Sequence, residues 1–196
     1  MTAIRAALAS LMVLALAACT MNPPSGDFPV PRYTDEPPVR LDVADIRVEQ
    51  RYQPPMEAPN VEHEAPVSPA DAAKQWVQDR LRAAGTQGSA TVVISQAAIV
   101  REKLETKEGI SGFFTSEPAV RYTGDLEIAV KMRRPNRDGS VRITASRSTA
   151  TQEGASPHER DSALHGLVTK LMDDAGAQLA ETLKANTGGF VVSGAR

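Results

Sequence analysis

Two stretches of strict alternation joined by a short polar connection constrain this chain most. They read RYTGDLEIAVKMR over residues 121–133 and VRITASRSTAT over residues 141–151, with RPNRDGS between them. Successive side chains of a strand point to opposite faces. Tyr122, Leu126, Ile128, Val130 and Met132 therefore share one face, and Arg121, Asp125, Glu127 and Lys131 share the other. Val141, Ile143 and Ala145 point inward from the returning strand, and Asp138-Gly139 is a strong hairpin signal between the two. A sheet that is wet on one face needs a layer over its apolar face.

Two helical patterns can supply that layer. SPADAAKQWVQDRLRAAG, residues 68–85, offers Ser68 as N-cap and Pro69 at the first helical position, with Asp71 and Asp79 read as acids toward the favoured end and Gly85 as terminator. Ala73, Trp76, Val77, Leu81 and Ala84 fall at helical spacing, so the chain's one Trp reads as a core anchor rather than a ligand stacker. SPHERD, residues 156–161, has capping-box order. Leu164, Leu167, Val168, Leu171, Met172, Ala175, Leu179 and Leu183 then run as one apolar stripe to about Ala185. A membrane-surface helix is the rival reading, but the polar side carries Asp173, Asp174 and Glu181 beside Lys170 and Lys184 and lacks a basic bias, which favours core packing.

The remaining elements follow. Residues 39–49 alternate with a phase slip that a bulge near Ala44 would explain. Residues 50–67 hold four prolines and read as a long loop. SATVVISQAAIVREKLE, residues 89–105, is apolar in both phases until Ala98, as for a central strand covered on both faces or nearly so. The expected fold is α+β: a four-stranded, mostly antiparallel sheet in β-α-β-β-β-α order with two helices on one face. It forms a single domain over residues 39–185, followed by a flexible tail at 186–196 in which Phe190 to Val192 could make a short edge contact.

Upstream lies a different kind of sequence. The apolar run from Ala6 to Ala18 is about 13 residues long, short of the ~20 that a membrane-spanning helix needs, and Arg5 is the only charge before it. Residues 1–18 read as a secretion leader. At its end, Leu16-Ala17-Ala18-Cys19 resembles a bacterial lipobox, which implies cleavage before Cys19 and acylation of its sulfur and amino group. A lone buried cysteine is the alternative. One acyl chain holds a protein only marginally, whereas two or more hold it stably at ~0.8 kcal/mol per buried methylene. The implied partner is membrane lipid, and Thr20, standing where an inner-membrane retention Asp would be, favours the periplasmic face of the outer membrane. The rest of the 19–38 segment is rich in Pro, Gly and Ser and reads as a disordered tether able to reach roughly 60 Å, with Phe28 and Tyr33 as spacer residues rather than partner-docking contacts.

Catalytic inventory is thin. Lys plus Arg number 22 against 24 Asp plus Glu, with no basic block, which argues against nucleic-acid binding. With one cysteine no internal disulfide forms. His63, His158 and His165 make no metal-binding spacing, VEHE at 61–64 reads as a solvated acidic loop, and no nucleophile elbow, P-loop or dinucleotide fingerprint occurs. Asp125 and Glu127 mimic an acid pair, but surface alternation accounts for them. No catalytic residue, cofactor or metal is expected. KEGISGFFTSEPAV, residues 107–120, places Ile110, Phe113 and Phe114 in a connection between strands. They are candidate contacts for a partner or a lipid surface, with a cap over the core's open end as the alternative.

The element order behind a lipobox and a proline-rich tether resembles small envelope lipoproteins such as the outer-membrane lipopolysaccharide-assembly lipoprotein and the auxiliary lipoproteins of lipid-transporting ABC systems. The resemblance spans residues 39–185 in architecture and carries over no functional residue except Cys19. The tether, the two-helix packing and the empty catalytic inventory point to a non-enzymatic, lipid-anchored accessory protein that binds an envelope protein or lipid through the sheet's uncovered face or the Phe113-Phe114 loop. A periplasmic hydrolase with scattered carboxylates and a purely structural lipoprotein are the other readings.

Overall fold

The computed structural model describes residues 28–104, 118–152, 154–186 and 189–192. The leader, Cys19, the first part of the tether and the candidate contacts Ile110, Phe113 and Phe114 lie outside the described residues.

Strand β1 (Val39–Leu41) and strand β2 (Asp45–Gln50) come first. Helix α1 (Pro69–Arg80) runs directly into β3 (Leu81–Ala83), and β4 (Ser89–Lys103), β5 (Pro118–Arg134), β6 (Arg137–Gln152) and helix α2 (Pro157–Asn186) complete the order. The main sheet is ordered β2-β4-β5-β6, and β1 with β3 forms a separate parallel pair. β2 runs parallel to β4, with α1 inside the crossover that a parallel pair requires, whereas β4, β5 and β6 are antiparallel. The fold is the expected α+β sheet with two helices, plus the extra pair.

Several local expectations are corrected. The phase slip near Ala44 is a change of sheet rather than a bulge: β1 pairs with β3, and β2 pairs with β4. Helix α1 stops at Arg80 instead of Gly85. Leu81 donates its N–H to Val77 O, closing the last turn, and then adopts φ −108°, ψ 136° to pair with Val39. Asp79 therefore sits in the last turn of α1, where the helix dipole disfavours it. The hairpin turn is Pro135-Asn136, since Arg134 faces Arg137 while Asp138 and Gly139 already pair with Arg133 and Met132. Proline presets the φ of such a turn, and Gly139 serves a different purpose: a Cβ there would stand 3.0 Å from the Phe190 ring.

The real bulge lies in β4, where the register shifts between Ile94 and Gln96. Ala90, Val92 and Ile94 are buried before it and Ala97 and Ile99 after it, and Val93 and Ala98 are buried in the other phase, so both the bulge and cover on the second face make the segment apolar in both phases. Both helices are capped as expected. Ser68 Oγ accepts from the Asp71 N–H at 3.1 Å, and Ser156 and Glu159 form the reciprocal pair at 3.3 and 2.7 Å. The stripe of α2 is buried from Leu164 to Leu183. Trp76, only 3 % exposed, lies against Gly176 of that helix, where a Cβ would stand 2.2 Å from the indole Nε1.

Both ends of the expected domain extend. Phe190 is buried, its carbonyl accepts from Asp42 N at 2.7 Å, and Val191 bridges Leu41. This part of the tail belongs to the core. Residues 28–36 are docked rather than spacer, because Arg32, Tyr33 and Glu36 bond to α1 and Phe28 lies against α2.

Candidate functional site

The docked strap is held by the end of α1. Asp79, its side chain 5 % exposed, accepts from Arg32 Nε and Nη2 at 3.1 and 2.9 Å, from the Tyr33 N–H at 3.0 Å and from Gln75 Nε2 at 3.0 Å. Burial opposes its ionisation, but these donors outweigh burial and hold the carboxyl below the usual range. Next to it the buried Arg80 donates Nη2 to Glu36 at 2.6 Å, and its guanidinium carbon stands 6.0 Å from the Trp76 ring. Burial, then the charges of Asp173 and Asp79, push the Tyr33 hydroxyl far up. Further along, Phe28 stacks at 5.6 and 5.4 Å from the rings of His158 and His165, and His165 Nε2 lies 2.9 Å from Pro29 O.

A depressed carboxyl contributes stability above its unfolded pKa of ~3.9 and loses it as pH falls through the folded value. The strap should therefore loosen only in acid. The amide shift of Tyr33, whose N–H points at Asp79, is expected to titrate below the ordinary aspartate range in NMR and to lose that titration in Asp79→Asn. A midpoint at or above ~4 would contradict the assignment.

On the sheet face away from the helices, Asp125 and Glu127 are not a free acid pair, because Glu127 is engaged among the described residues. Glu127 Oε1 accepts from Ser95 Oγ at 2.7 Å and from Arg142 Nη1 at 2.8 Å, tying β4, β5 and β6 together. VEHE is only partly solvated. Glu62 is 1 % exposed, accepting from Tyr52 Oη at 2.8 Å and from the Ile99 N–H at 3.1 Å, while His63 and Glu64 are exposed. Among the described residues no group of three His, Cys, Asp or Glu is placed to hold a metal ion, and no helix is long and apolar enough to cross a membrane.

A concavity lies on the helix side of the sheet, at the end where β4 finishes and β5 begins. β5 is 17 residues long, about 55 Å at strand rise, whereas α1 with 12 residues covers only about 18 Å. The strand ends therefore outrun α1. They leave a groove of 630 Å³ bounded by Arg101 and Lys103 of β4, Val120 and Tyr122 of β5, Arg160 in the first turn of α2, and Pro59. Arg101 contacts Glu64 at 3.3 Å. One wall, residues 59–61, is bonded to β4 through Val61 N to Ile99 O and Arg101 N to Pro59 O, both 2.8 Å.

The expected site residues Cys19, Ile110, Phe113 and Phe114 lie outside the described residues. The groove and the strap were missed in sequence. Arg32 and Asp79 are 47 positions apart, and the one available signal was Phe28 and Tyr33, two aromatics in a chain with 4 %.

No protein-family model matches the chain, and no curated protein matches it. Similar solved structures include a Xanthomonas campestris protein of the DUF330 family, at 9% identity and a TM-score of 0.35, covering 79% of this chain and 90% of that one. Rare lipoprotein B from Shewanella oneidensis matches at 8% identity and a TM-score of 0.33, covering 71% and 90%. The PelC dodecamer from Paraburkholderia phytofirmans matches at 12% identity and a TM-score of 0.27, covering 72% and 94%. Overlaps this loose carry no inference to activity, substrate or partner.

Proposed function

We propose that this chain is a lipid-anchored, non-enzymatic accessory protein of the bacterial cell envelope. Cys19 moors it to the periplasmic face of the outer membrane, and it binds an envelope protein or lipid. The observation that carries this reading is the order Leu16-Ala17-Ala18-Cys19 at the end of an apolar run too short to span a bilayer. The absence of catalysis belongs to the same proposal. Its support is that Glu62, Asp79 and Glu127 are each occupied by structural partners.

The docked strap changes the reach of such an anchor. Only residues 20–27 separate Cys19 from Phe28, nine Cα steps that span at most about 30 Å, half of what a free segment to residue 38 would allow. The domain stays close to the lipid. Cys19→Ala should shift the protein out of the detergent-extracted membrane fraction. A variant that remains as membrane-bound as the parent chain would reject acylation as the mooring.

A further inference from the structure

We infer that residues 28–36 are a releasable latch: docked along α1 and α2 they hold the domain close to its anchor, and they come away without unfolding the sheet, lengthening the free tether. The change in reach rests on the mooring reading above, whereas the latch itself does not. Three observations lead to it.

The first is how the strap is held. No residue from Phe28 to Glu36 is fully buried, in contrast to Phe190 at the other end of the domain. Among the described residues no backbone-to-backbone hydrogen bond joins the strap to the rest of the protein, so its departure breaks no ladder. Its bonds run to the two helices: Arg32 and the Tyr33 N–H to Asp79, Glu36 to Arg80, and the Pro29 carbonyl to His165. The side chains of Arg32 and Glu36 are 65% and 66% exposed above the buried Asp79 and Arg80. Water competes for the strap side of each pair, and ion pairs open to solvent hold weakly.

The second is what the strap covers. Tyr33 Oη and Arg80 Nε are buried with no hydrogen-bond partner among the described residues. Both residues stand where the strap closes over Trp76 and Gly176. A buried polar atom without a partner opposes the docked state, and undocking wets both. It also returns Asp79 and Arg80 to water, so neither is left as an unpaired charge in the interior.

The third is the order of the contacts along the chain. Phe28 lies against His158 and His165 near the start of α2, Arg32 and Tyr33 reach Asp79 next, and Glu36 reaches Arg80 last. They sit in series behind Cys19. At neutral pH a pull from the anchor therefore loads them one at a time, beginning at Phe28, instead of all together. Peeling stops where Pro37-Pro38 passes into β1, because Val39 is buried and paired with Leu81. The free segment then runs from Cys19 to Pro38, and the reach roughly doubles.

The test uses the full protein purified from membranes in mild detergent. Acrylamide quenching of Trp76, the chain's one tryptophan, reads the cover given by the strap. Exchange of the Tyr33 amide, compared with that of Val130 in the middle of β5, reads whether the strap opens by itself. In the parent chain the Tyr33 amide, corrected for intrinsic rates, should exchange about a hundredfold or more faster than Val130, as a segment that opens locally does. Arg32→Glu sets a carboxylate against Asp79. It should speed Tyr33 exchange a further tenfold or about that and raise Trp76 quenching, with Val130 exchange unchanged. Glu36→Lys repels Arg80 and repeats the test at the other pair, whether or not Arg32→Glu folds. A Tyr33 amide that exchanges in step with Val130, or Trp76 quenching unmoved in the folded variants, overturns the latch. The covalent mass of the same samples reads acylation separately. A bare Cys19 with a strap that opens by itself rejects the mooring alone, and an acylated Cys19 with a strap that opens only with the sheet rejects the latch alone.

Discussion

Trp76→Ala is expected to destabilise the domain by about 3–5 kcal/mol, the range for deleting a large aromatic side chain from a packed interior. The indole fills the junction of α1, α2 and the strap, and it sits on the backbone of Gly176 because no side chain stands there. Gly176→Ala alone should cost about 1–3 kcal/mol through overpacking, although alanine is the better helix former. The two effects come from one contact, so the double variant should be less destabilised than the sum, since the cavity left by Trp76 receives the new methyl. Denaturant unfolding of the four proteins measures the coupling. Additive values would mean that the indole does not depend on this glycine.

Glu62→Ala is the second large effect, about 2–4 kcal/mol, because it leaves the buried Ile99 N–H and the Tyr52 hydroxyl without their acceptor. It should also loosen residues 59–61, which bond to β4 beside Ile99. Burial, then the hydrogen bond and charge of Glu62, push Tyr52 up to about 12. Stability gained from this shift is present below the ordinary tyrosine value of ~10 and is lost as pH rises toward 12. Glu62→Gln removes the charge and should bring the Tyr52 titration, followed by carbon-13 NMR of labelled tyrosine, down toward 10. An unmoved titration would contradict the contact.

What could be read from the sequence was whatever depends on local periodicity. The alternation from Tyr122 to Met132 and the stripe from Leu164 to Leu183 placed two strands and a helix, and the Ser-Pro starts placed both helix caps. What escaped depends on partners far away in the chain. Leu81 carries helical periodicity yet turns extended because Val39 offers it a ladder partner. The β4 bulge at Ser95 is stabilised by Glu127, 32 positions on. The strap is ion-paired across 44 and 47 positions, so a proline-rich composition that usually marks a spacer was overridden by tertiary contacts. The groove arises from a mismatch between strand and helix lengths, which no local motif records.

The measurement that bears most directly on the function proposed here is mass spectrometry of the mature N-terminal peptide. A chain beginning at Cys19 with acyl mass on both its sulfur and its amino group is the expected result. A peptide retaining residues 1–18, or one beginning at Cys19 with a bare thiol, would contradict the moored accessory protein.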